Sequence, residues 1–225
     1  MKYKIVALVP MRHNSERVPG KNYRSFAGKP LYHRIINSLS TCPEISQIVV
    51  DTDSPVIIEG LSRDFSDVKV IERPERLRAG TVPMNDVLLH DIQSVEADYY
   101  LQTHTTNPLL TAETISRAIN LFLHNNNIYD SLFSVTRTQT RYWDLLTRPI
   151  NHNSAILLRT QDLPPIFEEN SCLYLFSRQT LESKHNRIGE RPLMFEMDRF
   201  EAIDIDEELD FRIAELLYLE SENNS

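Results

Sequence analysis

Short apolar runs alternate along the chain with segments of helical spacing. Ile5-Val6-Ala7-Leu8-Val9 is unbroken and stops at Pro10, the pattern of a strand buried on both faces. Pro10 to Gly28 is basic and polar, with Pro19 and Gly20 inside it, and predicts a long loop. Leu31, Ile35, Ile36 and Leu39 then keep helical spacing. Ile48-Val49-Val50 predicts a second strand ending at Asp51-Thr52-Asp53, Val56 to Leu61 a short helix, and Val68 to Ile71 a third strand. The series continues with a helix around Val82 to Ile92 and a strand around Tyr99 to Leu101. A helix opened by Thr111 follows, striped by Ile115, Ile119, Phe122 and Leu123. This order predicts parallel βαβ units in an α/β fold, a three-layer αβα domain with a mainly parallel, doubly wound sheet. Ligands of such sheets lie beyond the carboxyl ends of the strands. The loop after the first strand and the polar segments after Val50, Ile71 and Leu101 should therefore share one rim.

The periodicity weakens between residues 136 and 168, where Tyr142, Trp143, Leu145, Leu146, Ile156, Leu157 and Leu158 gather apolar surface. An arm packing on a second subunit and an ordinary core lobe both fit. A last amphipathic helix is expected to bury Leu209, Ile213, Leu216 and Leu217. With no repeat or linker, residues 1–225 read as a single domain, long enough for one sizeable core.

The formal net charge of −8 disfavours nucleic-acid and acidic-membrane partners, so an anionic substrate needs a local cluster of cations. Two cysteines, Cys42 and Cys172, without C-x-x-C spacing, argue against a disulfide framework or a structural zinc site. The apolar run at Ile5 is too short to span a membrane, and no signal-peptide layout surrounds it, so a cytoplasmic protein is expected.

The cations gather in Pro10-Met11-Arg12-His13-Asn14-Ser15-Glu16-Arg17-Val18-Pro19-Gly20-Lys21-Asn22. Loop N–H groups with Arg and Lys make a phosphate cradle, although a solvated basic loop has the same composition. Neither G-x-x-x-x-G-K-[ST] nor G-x-G-x-x-G occurs. Near the other end, Asp204 and Asp206 are two apart, so in a strand both carboxylates face one side and suit a hard cation such as Mg²⁺. Asp206, ahead of Glu207-Glu208-Leu209, equally suits a helix N-cap.

The basic segment closely resembles the N-terminal signature of the acylneuraminate cytidylyltransferase family: Arg, two residues, Ser, then Arg-x-Pro-x-Lys-Asn. Further likenesses follow in order: Asp51-Thr52-Asp53, Arg73-Pro74-Glu75-Arg76-Leu77, Thr81-Val82-Pro83 and Leu101-Gln102 with Thr106-Asn107-Pro108-Leu109. Phe195-Glu196-Met197-Asp198 and Ile203 to Asp210 complete the set. The chain departs from the pattern in the longer Thr103-His104-Thr105 region and in Asn107, where the family usually has Ser.

The resemblance implies a homodimeric, Mg²⁺-dependent enzyme that transfers CMP from CTP to an acidic 2-keto sugar. It implies nucleotide binding by Arg12, Ser15, Lys21, Asn22, Arg73 and Thr81, and sugar binding by Gln102, Asn107 and Asn170. Asp204 and Asp206 become metal ligands, and Arg12, Lys21 and Asp206 the catalytic set. A metal-bound water and Asp206 stay open as acceptors of the hydroxyl proton. Activity toward 3-deoxy-manno-octulosonate, legionaminate or pseudaminate, use of GTP or UTP, and a non-catalytic sugar-nucleotide binder remain alternatives.

Overall fold

The computed structural model describes residues 3–223. Strand β1, Ile5–Met11, is buried throughout because both faces of its pleat are covered. Around it run β4 (Ile45–Thr52), β5 (Lys69–Glu72) and β6 (Tyr99–Thr103), all parallel to one another. The long loop after β1 contains a short 3₁₀ turn, Lys21–Tyr23, and a hairpin of β2 (Ser25–Phe26) and β3 (Lys29–Pro30). The sheet is completed by β7 (Ser131–Thr138), β8 (Ile166–Phe176) and β9 (Pro192–Glu196), in the order β5-β4-β1-β6-β8-β7-β9. Among the described residues only β8 runs against its neighbours in this sheet, β6 and β7, so the sheet is mainly parallel.

Alternation along β1 divides the core in two. Ile5, Ala7, Val9 and Met11 face helices α1 (Tyr32–Thr41), α2 (Pro55–Asp64) and α4 (Ala112–Asn125). Val6 and Leu8 face α3 (Met84–Asp91) and α5 (Arg178–Lys184). Ser54, Thr111 and Ser177 each cap a helix by accepting a backbone N–H three residues on.

A third cluster fixes what lies beyond the sheet. Val18 and Phe26 from the long loop pack with Leu31, Ile205 and with Phe211 and Ala214 of helix α6 (Glu208–Asn223). Arg24 adds a two-pronged ion pair to Glu208, at 2.6 and 2.7 Å, and lies over the Phe211 ring. The segment 203–206 is thereby held against the basic loop.

Three expectations need correction. The face of α6 that is buried carries Phe211 and Ala214, whereas Leu209, Ile213 and Leu216 are exposed. Both stripes have helical period, and the aromatic one won because Phe26 and Arg24 offer it ring contacts. Residues 203–206 are not a strand; they form an irregular segment tied to the core by Ile205 N–H donating to Thr106 O at 2.8 Å. The apolar residues gathered between 143 and 158 form no core lobe among the described residues, since Leu145 and Leu157 are 99% and 90% exposed, although Leu163 further along is buried.

Candidate active site

The carboxyl ends of β1, β5 and β6 open on a cleft of about 410 Å³, lined among others by Arg12, Ser15, Lys21, Asn22 and Arg73. Five of the six residues expected to hold a nucleotide thus share one wall. The sixth, Thr81, is exposed between Gly80 and Val82, which do line the cleft.

Each side chain has a local reason for its place. His13 N–H donates to Asp53 Oδ1 at 2.7 Å, and the His13 ring bonds Ser54 Oγ at 2.8 Å, so the end of β4 fixes where the loop leaves β1. Gly20 takes a left-handed φ of 65°, which turns Lys21 and Asn22 back toward the strand. Asn22 donates to Arg12 O at 2.8 Å and accepts from Thr105 Oγ1 at 2.5 Å. Gly80 sits so near Arg12 that a Cβ there would lie 2.8 Å from its guanidinium. The Arg12 guanidinium itself has no ion pair among the described residues.

Arg73 is buried and its Nε donates to Asp51 Oδ1, with a second bond from the guanidinium to Asp51 O at 3.3 Å. Behind this pair lies Asp91, also buried, whose carboxyl is pushed up to about 9 by burial and then by Asp51. His90 Nδ1 lies 3.4 Å from Asp91 Oδ1 and 3.9 Å from Asp51 Oδ2. A proton on Asp91 relieves its repulsion with the Asp51 carboxyl that Arg73 engages.

Lys21 is buried and donates to Ile205 O. Burial lowers its pKa, and Arg17 acts in the same direction, while Asp204 and Asp206 pull the other way. Those two aspartates lie on the far side of Lys21, in a second cleft of about 730 Å³ that also holds Asn170. Buried Ile205 separates them, so both carboxylates emerge on one side. Asp206 pairs with Arg17 at 2.6 Å, and Asp210, not Asp206, accepts the N–H groups of 206 and 207 at the start of α6. Although Asp204 has open surface, the protein around it raises its pKa, Asp206 adds to this, and Thr106 and Lys21 oppose it. Two oxygen donors that repel one another suit a hard divalent cation, and the donor chemistry fits Mg²⁺.

Asn170 is aimed by a bulge. Pairing of β7 with β8 shifts register between Phe133 and Val135, and Ser171 takes a left-handed φ of 59°. Asn170 Oδ1 accepts from Ser134 Oγ at 2.5 Å, and its Nδ2 donates to Thr136 Oγ1 at 3.0 Å. Asn107 is buried and donates to Ile203 O at 3.3 Å, bracing the aspartate segment. Gln102 is also fully buried; its amide nitrogen lies 2.9 Å from His104 Nε2, and its Oε1 accepts from Arg187 at 2.6 Å. Burial, with Arg187 and Lys21 nearby, pushes His104 down to about 3, so it stays neutral.

Sequence reasoning did not find Arg187, Tyr174 or the Asp51–Asp91 pair. Arg187 lies 85 residues from Gln102 in a segment without periodicity, and no local pattern joins them.

A family described as "Cytidylyltransferase" matches residues 6–223. The chain is 27% identical over 219 residues to N-acylneuraminate cytidylyltransferase A of Danio rerio, covering 94% of this chain and 50% of that protein. The chain therefore spans about half the length of that relative. It is 29% identical over 231 residues to the CMP-N,N'-diacetyllegionaminic acid synthase of Legionella pneumophila, covering 95% of this chain and 96% of that one. Among solved structures, a CMP:2-keto-3-deoxy-manno-octonic acid synthetase complexed with CTP superposes with a TM-score of 0.72 at 14% identity, covering 97% of this chain and 99% of that chain.

Proposed function

The chain belongs to the cytidylyltransferase family, and we propose on that footing that it transfers CMP from CTP to an acidic 2-keto sugar of the sialic-acid type. The observation that carries this reading is the convergence of Arg12, Lys21, Asn22 and Arg73 on one cleft, with two aspartates just beyond Lys21. The names of the relatives, an acylneuraminate cytidylyltransferase and a diacetyllegionaminate synthase, support the class of sugar.

In the reaction the anomeric oxygen of the sugar forms a bond to the α-phosphorus of CTP. The bond from that phosphorus to the bridging oxygen breaks, pyrophosphate leaves, and the hydroxyl gives its proton to water or to Asp206. Transfer of this kind rests on positioning and charge, so no covalent nucleophile is needed. Arg12 offers a free guanidinium fork to the phosphates, and Lys21 a compact charge on the aspartate side. Arg73, locked by Asp51, contributes a fixed positive wall. Asp204 and Asp206 would hold Mg²⁺, which when bound supplies charge neutralisation at the phosphates.

We further infer a homodimer joined through the exposed 136–168 segment, and a reducing compartment such as the cytoplasm for two free, buried cysteines. No helix is long and apolar enough to cross a membrane among the described residues.

The test is pyrophosphate release from each of the four nucleoside triphosphates with Mg²⁺, crossed with eight- and nine-carbon 2-keto acid sugars. Release that needs CTP and one sugar is the expected result. Release with CTP replaced equally well by another triphosphate, or with no sugar at all, overturns the proposal.

A further inference from the structure

Arg187 is a partly buried cation with no carboxylate in ion-pairing range among the described residues. Its guanidinium is held by two neutral partners. One nitrogen donates to Gln102 Oε1 at 2.6 Å, and the group lies over the Tyr174 ring, 3.5 Å from its centroid. Gln102 and Tyr174 are fully buried and face each other across β6 and β8. The nearest acid acting on Arg187 is Glu169, which instead accepts the Tyr174 hydroxyl. Burial lowers the Arg187 pKa, which means that this charge is held at a cost.

Its position gives the charge a use. The Arg187 N–H donates to Asn85 Oδ1 at 3.3 Å, at the start of α3, whose Met84 and Val87 line the nucleotide cleft. His104 lines the same cleft and lies within the electrostatic reach of both Arg187 and Lys21. Arg187 therefore sits against Gln102 and near His104, next to the cleft that His104 lines. Other prominent cations of this region either face the cleft around the long loop or are paired: Arg73 with Asp51, Arg17 with Asp206. A planar fork held by the neutral side chains of Gln102 and Tyr174, with no acid in ion-pairing range among the described residues, matches a carboxylate.

We propose that Arg187, set by Gln102 and Tyr174, binds the carboxylate of the acidic sugar and is the residue by which this site selects an acid over a neutral sugar. The inference rests on the cytidylyltransferase reading above and deepens it. The contact forms without bond making: the carboxylate displaces water from Arg187 and supplies the counter-charge that the chain leaves out.

The experiment compares wild type with Arg187→Met and with Arg187→Gln, which keeps a donor toward Gln102. Each is assayed by pyrophosphate release with N-acylneuraminate and N,N'-diacetyllegionaminate, and with the C1 carboxamide of each. Losing a hydrogen bond to a charged group corresponds to about 10- to 100-fold. The expected result is a rise of that size in KM for the acid, with KM for the carboxamide and for CTP unchanged within about 3-fold. Calorimetric binding of the same sugars to enzyme loaded with a non-hydrolysable CTP analogue should show the same split without turnover. An unchanged KM for the acid overturns the proposal. An equal rise for acid and amide makes Arg187 a strut and overturns it too, and a rise confined to CTP assigns the cation to the triphosphate instead. A wild type that binds the acid better than the amide but releases no pyrophosphate fails the proposed reaction while sparing this contact.

Discussion

Arg12 and Asn22 occupy the same wall but stand differently in the fold. Asn22 bridges Arg12 O and Thr105 Oγ1, so it serves the structure as well as the cleft. The Arg12 guanidinium holds no such partner among the described residues, and Arg12→Ala should leave the thermal midpoint close to that of wild type. Removing one preorganised charge of this kind costs about 10²- to 10³-fold in kcat. A folded Arg12→Ala enzyme with near-normal kcat would take Arg12 out of the mechanism. Asp91 gives a second prediction at this scale. Folded, with Asp51, His90 and Arg73 around it, it keeps its proton to about 9; unfolded, it releases it near the ordinary aspartate value of 3.8. Between those values the unfolded state binds fewer protons, so stability falls as pH rises. Asp91→Asn should match wild type near pH 4 and melt higher at pH 8; parallel melting curves across that range would refute the account. The loop cations were legible in sequence because Arg, Ser, Lys and Asn occupy one continuous run after a strand. Arg187 and the Asp51–Asp91 pair were not, because each depends on contacts between residues far apart in the chain.

Helix α6 contributes no described residue to either cleft, yet it holds the aspartate segment in place. Phe211 and Ala214 pack on Phe26 and Val18, and Arg24 clamps Glu208. Phe211→Ala should cost about 3–5 kcal/mol in urea unfolding, the range for a buried aromatic. Because Ile205 belongs to the same cluster, the variant should also lose activity in excess of any loss of folded protein. Full specific activity in the folded fraction would show that α6 and the aspartates are independent. Elements were readable where one face or both were buried: β1, β4 and β6 read as apolar runs, and α1 and α4 as stripes. Helix α6 misled because two stripes share its period, Leu209-Ile213-Leu216 and Phe211-Ala214, and only partners elsewhere in the chain choose between them. Strand β8 went unread for another reason: its first half, Ile166 to Asn170, is not buried in the core and lacks clean alternation.

At the scale of the whole molecule the 136–168 segment stands apart from the three-layer body. Leu145, Leu146, Ile150, Ile156 and Leu157 are each more than half exposed, a concentration that single surface leucines do not produce. Its internal order comes from polar ties, such as Arg148 to Asp144 at 2.6 Å and Asn151 to Thr140 O at 2.6 Å, so its apolar side chains are left for something else to cover. A second copy is the occupant we infer, and the net charge of −8 on each chain makes a test of it. Two acidic protomers repel, and salt screens that repulsion over a Debye length of about 10 Å at 0.1 M. Apolar burial is not weakened by such screening. Association through this segment should therefore tighten, not loosen, as sodium chloride rises from about 0.05 to 0.5 M. Leu145→Asp with Leu157→Asp places two charges on positions that touch little in the single chain, so the pair should fold normally. Sedimentation equilibrium at micromolar protein should then find a wild-type dimer that strengthens with salt and a variant that stays monomeric. A wild-type monomer would remove the dimer, and a dimer that salt dissolves would move its interface to charged surface elsewhere on the molecule.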